Sequence, residues 1–121
     1  MKLLLLREPE IRRLLQPDLC LQAVERAFTA YASGKAQLPP VINLDIPENA
    51  GEVHIKTGHL SGNPYYAVKI ASGFYHNAAH GLPSSNGMVL VFESHTGAPA
   101  AILLDNGFIT DLRTAAAGAL A

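Results

Sequence analysis

The sequence predicts an α+β domain: two N-terminal helices packed on a mostly antiparallel sheet of five to six strands, with a third helix at the end of the chain. Three observations carry this. Helical periodicity fills the first third, short strand-like runs bounded by Gly, Pro, Asn and Ser follow, and an alanine-rich segment comes last. Elements grouped in this way form segregated layers rather than alternating βαβ units. At 121 residues the chain makes one domain, 1–121, with a real core.

The opening Met1-Lys2-Leu3-Leu4-Leu5-Leu6 reads as a strand, because Arg7, Glu8 and Glu10 cut the apolar run too early for a signal peptide. Pro9 to Leu15 predicts a short helix with proline in its first turn. Pro17 and Asp18 open a second helix whose Cys20, Val24, Ala27, Phe28 and Tyr31 share one face, and Gly34 is its stop. Gln37-Leu38-Pro39-Pro40 predicts a stiff extended connector. Strands are then expected over Val41–Ile46, Glu52–Leu60, Tyr65–Gly73, Gly87–Glu93 and Ala98–Leu104, the last two joined by the tight turn Ser94-His95-Thr96-Gly97. In Met88–Phe92 and Ala100–Leu104 both alternating faces are apolar, which calls for cover on both sides. Thr110 is the expected cap of the closing helix, with Asp111 in its first turn.

Composition narrows the function. The net charge is −1 and no Lys/Arg-rich run occurs, so nothing points to nucleic acid or an anionic membrane. No apolar run approaches the roughly 20 residues of a membrane span, and the single cysteine cannot form an internal disulfide; the expected setting is cytoplasmic. Hydrophobic residues are 49% and charged residues 16%, lean in charge for so small a domain, so some apolar surface is expected to meet a second subunit or domain.

Two cations stand out because their surroundings read as core: Lys69 within Tyr66-Ala67-Val68-Lys69-Ile70-Ala71, and Arg113 within Thr110–Ala117. A charge in such a place is costly unless an anion meets it, which suggests a site for an anionic ligand. Lys69 shares its strand face with the small Ala67 and Ala71, leaving room for a ligand; a lysine reaching out from an edge strand is the alternative. His54 and Lys56 share a face of the preceding strand, either beside Lys69 or as plain exposed polar positions. Arg113, about the third residue of its helix, can grip a carboxylate at two points with helix N–H groups adding donors, or pair structurally with Asp111. The loop from Gly73 to Gly87 has glycines and hydroxyl side chains suited to anion oxygens, but no phosphate-loop or dinucleotide fingerprint. Cys20 reads as core, and His76 with His80 lacks the nearby ligands a zinc site needs, so no metal is expected.

Taken in order, Val68-Lys69-Ile70, Gly73-Phe74-Tyr75-x-Asn77, Gly81-Leu82-Pro83-Ser84, Gly87, Thr96-Gly97 and Leu104-Asp105-x-Gly107-x-x-Thr110-x-x-Arg113-Thr114-Ala115-Ala116 resemble the ornithine cyclodeaminase/mu-crystallin family. The resemblance implies an NAD(P)-dependent protein acting on a small amino or imino acid. In it, 1–121 is the substrate-binding and dimerisation domain of a homodimer, and the last helix leads into a Rossmann domain that this sequence does not contain. Matched motif by motif, Lys69 and Arg113 contact the substrate carboxylate, Lys69 is also the catalytic candidate, and Ser84 and Arg113 lie on the cofactor side. Val41 stands where family members often have arginine, and Lys56 or His54 is the candidate to replace that contact. A non-enzymatic dimeric module of the mu-crystallin type is the alternative reading.

Overall fold

The structure is a computed structural model and describes residues 2–121. The chain runs β1 (Leu4–Arg7), α1 (Glu8–Leu14), α2 (Pro17–Ala32), β2 (Ala36–Gln37), β3 (Ile42–Ile46), β4 (Gly51–Leu60), β5 (Tyr65–Phe74), β6 (Ser85–Glu93), β7 (Pro99–Leu104) and α3 (Phe108–Leu120). The α+β class is as expected. The sheet has seven strands in the order β1-β7-β6-β5-β4-β2, with β3 also paired to β4. It is antiparallel except at β1, which runs parallel to β7. The strand that was not foreseen is β2: Ala36 and Gln37 bridge Leu60 and His59 just before the two prolines.

Both early helices begin with proline near the N-terminus, where the missing N–H is not needed. Gly34, at φ 71, takes the left-handed backbone just past α2 and ends it. α2 packs chiefly against α3, while α1 lies against β1 and β7. The apolar stripe of α2 is accordingly only partly covered: Cys20 is buried, but Phe28 and Tyr31 are 51% and 63% exposed. The most protected apolar side chains, Ile11, Cys20, Val89 and Ala116, come one each from α1, α2, β6 and α3.

The register gives the sheet two unlike faces. One cross-strand row runs Ile42, Ile55, Ile70, Met88, and a neighbouring row Val68, Leu90, Ile102. By alternation, the other face carries the row Lys56, Lys69, Val89, Leu103. Ile42 and Leu44, at one end of the apolar face, are 61% and 55% exposed.

α3 begins earlier than predicted. Its first residue is Phe108, its N-cap position is Gly107 at φ 86, and Asn106 before it also has a positive φ of 54. The side chain that holds the helix start is that of Asp105, whose Oδ2 accepts the Ile109 N–H at 2.7 Å. Thr110 is therefore inside the helix, its carbonyl accepting the Thr114 hydroxyl. Arg113 is the sixth residue of α3 rather than the third, and so lies beyond the first turn with its free N–H groups. Two contacts tie α1 to this turn: Asn106 Nδ2 donates to Glu8 Oε1 at 2.9 Å, and the Arg12 guanidinium lies 4.2 Å from the Phe108 ring centre.

Candidate functional site

Antiparallel pairing of β4 and β5 sets Lys56 directly opposite Lys69. Side chains opposite each other on neighbouring strands have Cβ atoms about 5 Å apart, a spacing that destabilises like charges. The charge of Arg113, carried by α3, acts on Lys69 as well as that of Lys56. All three are partly buried. Among the described residues no carboxylate lies within ion-pair distance of any of them, and the expected alternative of an Asp111–Arg113 pair is not formed. Burial first, then Arg113, then Lys56 push the Lys69 ammonium down from 10.5 to about 8, while the charge of Asp105 opposes them.

Asp105 stands at the junction of β7 and α3 and is only 1% exposed. Its Oδ2 holds the helix start, but its Oδ1 is buried with no hydrogen-bond partner. Sequence reasoning missed this residue as part of the site. Its signal was the Asp-Asn-Gly turn after a strand, a pattern that favours left-handed backbone and side-chain capping.

Where the start of β4 meets the end of β5, a cavity of about 140 Å³ is lined by Glu52, His54, Ala71, Tyr75, Thr110 and Asp111 among others. Glu52 accepts the Tyr75 hydroxyl, which lowers the Glu52 pKa and raises that of Tyr75. His54 is bonded to Asn43 on β3, with Glu52 on its other side. His54 thus belongs to this polar wall and does not join the three cations. Ser84 is half-buried just before β6; its carbonyl accepts the Phe74 N–H, and the two residues after it, Ser85 and Asn86, line the cavity.

The other candidates take no part. Burial raises the Cys20 thiol above its usual pKa, as suits a core cysteine. His76 precedes and His80 ends a 3-10 turn at Asn77–His80, and among the described residues no three His, Cys, Asp or Glu come together as a metal site. A larger hollow of about 330 Å³ is lined by Gln37, Thr57, His59 and Tyr66 among others, and by none of the three cations.

A mixed, mainly antiparallel sheet with a cationic cluster on one face and a helix entering from β7 describes a known class of domain. The whole chain, residues 1–121, matches the ornithine cyclodeaminase/mu-crystallin family, and the protein belongs to it. It is 46% identical over 119 residues to an uncharacterized cyclodeaminase of Sinorhizobium fredii, covering 97% of this chain and 36% of that one. Among solved structures it is similar to the Δ1-pyrroline-2-carboxylate reductase of Thermococcus litoralis in complex with NADH and L-proline. That likeness has a TM-score of 0.91 at 33% identity, over 98% of this chain and 36% of the other. An archaeal alanine dehydrogenase dimer with bound NAD gives a TM-score of 0.90 at 34% identity, over 100% and 36%. The chain thus spans about a third of the length of the relatives it matches. Those relatives include NAD-dependent amino- and imino-acid reductases and cyclodeaminases.

Proposed function

We propose that this chain is the substrate-binding and dimerisation part of an NAD(P)-dependent enzyme acting on a small amino or imino acid, and that Lys56, Lys69 and Arg113 hold the substrate carboxylate. The observation that carries this is that Lys56 stands opposite Lys69, that the charge of Arg113 also acts on Lys69, and that among the described residues no carboxylate lies in ion-pair range of these partly buried cations. A carboxylate ligand supplies the missing charge and can accept two bonds from the Arg113 guanidinium while each lysine donates another.

Extending the β3–β4 register one residue past the Ile42–Ile55 bridge brings Val41 opposite Lys56. Lys56 therefore occupies the neighbourhood where family members often carry an arginine, and we assign it that contact. The rest of the ligand lies over Ala71 toward the cavity walled by Glu52, His54 and Tyr75.

In the full-length protein Ser84 and Arg113 would lie on the cofactor side, and nicotinamide dinucleotide, not expected to be held by this part alone, would supply hydride transfer when bound. This chain's own residues supply positioning, which keeps the reacting carbon fixed relative to the carboxylate. Lys69, with its ammonium near pKa 8, is suited to exchange a proton with the substrate close to neutral pH.

Titration with L-alanine, L-proline and acetate, followed by NMR, tests the reading. Charged hydrogen bonds contribute about 1.5–3 kcal/mol each, so Lys69→Met and Arg113→Met should each weaken binding roughly 10- to 100-fold. Unchanged affinity in both variants sinks it.

A further inference from the structure

We propose that Glu52 is the specificity-determining residue for the ligand's nitrogen: its carboxylate meets the ammonium or iminium group of an amino or imino acid whose carboxylate the lysines hold. The inference deepens the clamp reading above and rests on it. Its first support is strand register. Lys56–Lys69, His54–Ala71 and Glu52–Gly73 are cross-strand pairs two residues apart, on one face of β4 and β5 and inside both strands. Strands rise about 3.4 Å per residue, so Glu52 stands roughly 14 Å along the sheet from the lysine pair, with His54 and Ala71 midway. Ala71 and Gly73 carry almost no side chain, and both line the cavity of about 140 Å³ together with Glu52, His54, Tyr75 and, from α3, Thr110 and Asp111. Two carboxylates line this cavity, and among the described residues no lysine or arginine does. The face is thus positive at Lys56 and Lys69 and negative at the cavity, the charge order of a zwitterion.

The second support is that Glu52 is held in place with one oxygen free. Gly73 stands opposite it, and a Cβ on Gly73 would lie 2.7 Å from the Tyr75 hydroxyl oxygen. The missing side chain is therefore what lets Tyr75 fold back over the strand and donate to Glu52 Oε1. His54 donates from Nδ1 to Asn43 Oδ1 on β3, and its Nε2 lies 3.7 Å from the same Glu52 oxygen. Two side chains thus converge on Oε1, and among the described residues Oε2 has no protein partner. The Tyr75 hydrogen bond also holds the Glu52 carboxyl below its usual range, so at neutral pH it is an anion with a spare acceptor. An ammonium or iminium N–H is the charge-assisted donor that suits this oxygen. An acid without nitrogen brings no such donor.

Binding of L-alanine and of propionate, the same acid without its nitrogen, to the wild type and to Glu52→Gln tests the proposal. Glutamine keeps the shape and can still accept the Tyr75 hydroxyl while losing the charge. The wild type should bind L-alanine roughly tenfold more tightly than propionate. In Glu52→Gln, L-alanine should weaken by about that factor, while propionate binds as before or more tightly because a repelling charge has gone. A merely structural role would weaken both acids together. Equal affinities in the wild type, a preference for L-alanine that survives in Glu52→Gln, or an equal loss of both acids overturns the proposal. Should Glu52→Gln not fold, NMR of the wild type carrying 13C-labelled glutamate decides the matter. The Glu52 carboxyl resonance should move with L-alanine and stay in place with propionate, and a resonance that ignores L-alanine or follows both acids alike overturns the proposal. Propionate reports on the lysines alone, so propionate bound without any preference for L-alanine refutes only the nitrogen subsite. A wild type that binds neither acid refutes the clamp and the subsite with it.

Discussion

A lysine acted on chiefly by the like charges of another lysine and an arginine can lower its free energy by losing its proton or by gaining an anion. Lys69 therefore links ligand binding to pH. In the free protein its pKa is about 8, and a bound carboxylate raises it, so binding takes up a proton above pH 8. We predict that affinity for L-alanine is flat from pH 6 to about 7.5 and falls as pH rises through 8. Calorimetry in buffers of different ionisation enthalpy should show proton uptake, and Lys69→Met should abolish it. The same shift bears on stability. Because the folded pKa lies below the unfolded value near 10.5, the unfolded chain binds more protons between about pH 8 and 10.5, so this group adds stability as pH rises through that window. Urea midpoints of the wild type minus those of Lys69→Met should accordingly increase from pH 7.5 to 10, and a flat difference would contradict the depressed pKa. Lys69 and Arg113 were legible in the sequence because a charge among apolar neighbours stands out. Lys56 was a candidate alongside His54, and strand register chose between them by placing it across from Lys69, whereas Asp105 was hidden because a lone aspartate before Asn-Gly reads as an ordinary turn.

At the scale of elements, the strand boundaries were largely readable because turn residues mark them, whereas the start of α3 was not. Thr110 followed by Asp111 has the chemistry of a helix start, yet Asp105 and Gly107 begin the helix earlier through a turn whose backbone angles no pattern of hydrophobicity reports. The correction matters to the proposed site, since it moves Arg113 into the second turn, so that in the proposed clamp its guanidinium rather than free helix N–H groups would be the donor. The fit of β6 against β5 is equally demanding. A Cβ on Gly87 would stand 2.7 Å from the Ile70 carbonyl oxygen, a backbone atom that cannot swing aside. Gly87 pairs with Ala71, two residues from Lys69, so displacement there reaches the clamp. Gly87→Ala should cost about 1–3 kcal/mol by denaturant unfolding and weaken carboxylate binding, whereas Gly97→Ala, whose Cβ meets open space, should cost only the strain of its positive φ of 73, about 1 kcal/mol, and leave binding alone.

Over the whole molecule, the two faces of the sheet impose different requirements. The Lys69 face has α3 and the clamp. The opposite face presents Ile42, Ile55, Ile70 and Met88 in one row and Val68, Leu90 and Ile102 in the next, with Ile42 and Leu44 more than half exposed. A contiguous apolar patch of this kind is unusual on a monomer. We propose that a second copy covers it, consistent with the apolar strands from Met88 to Leu104 and with a similar alanine dehydrogenase described as a dimer. A two-fold interface places the same rows from each copy against one another, so one substitution acts twice. Ile42→Asp puts two carboxylates into that interface while altering a residue already 61% exposed in the single chain, so it should leave the fold intact. Light scattering should report a dimer for the wild type and a monomer for Ile42→Asp, with the variant retaining its circular dichroism and its Lys69 titration because the clamp lies on the other face. A wild type that stays monomeric at high concentration, or an Ile42→Asp variant that stays dimeric, would place the apolar face outside the subunit interface.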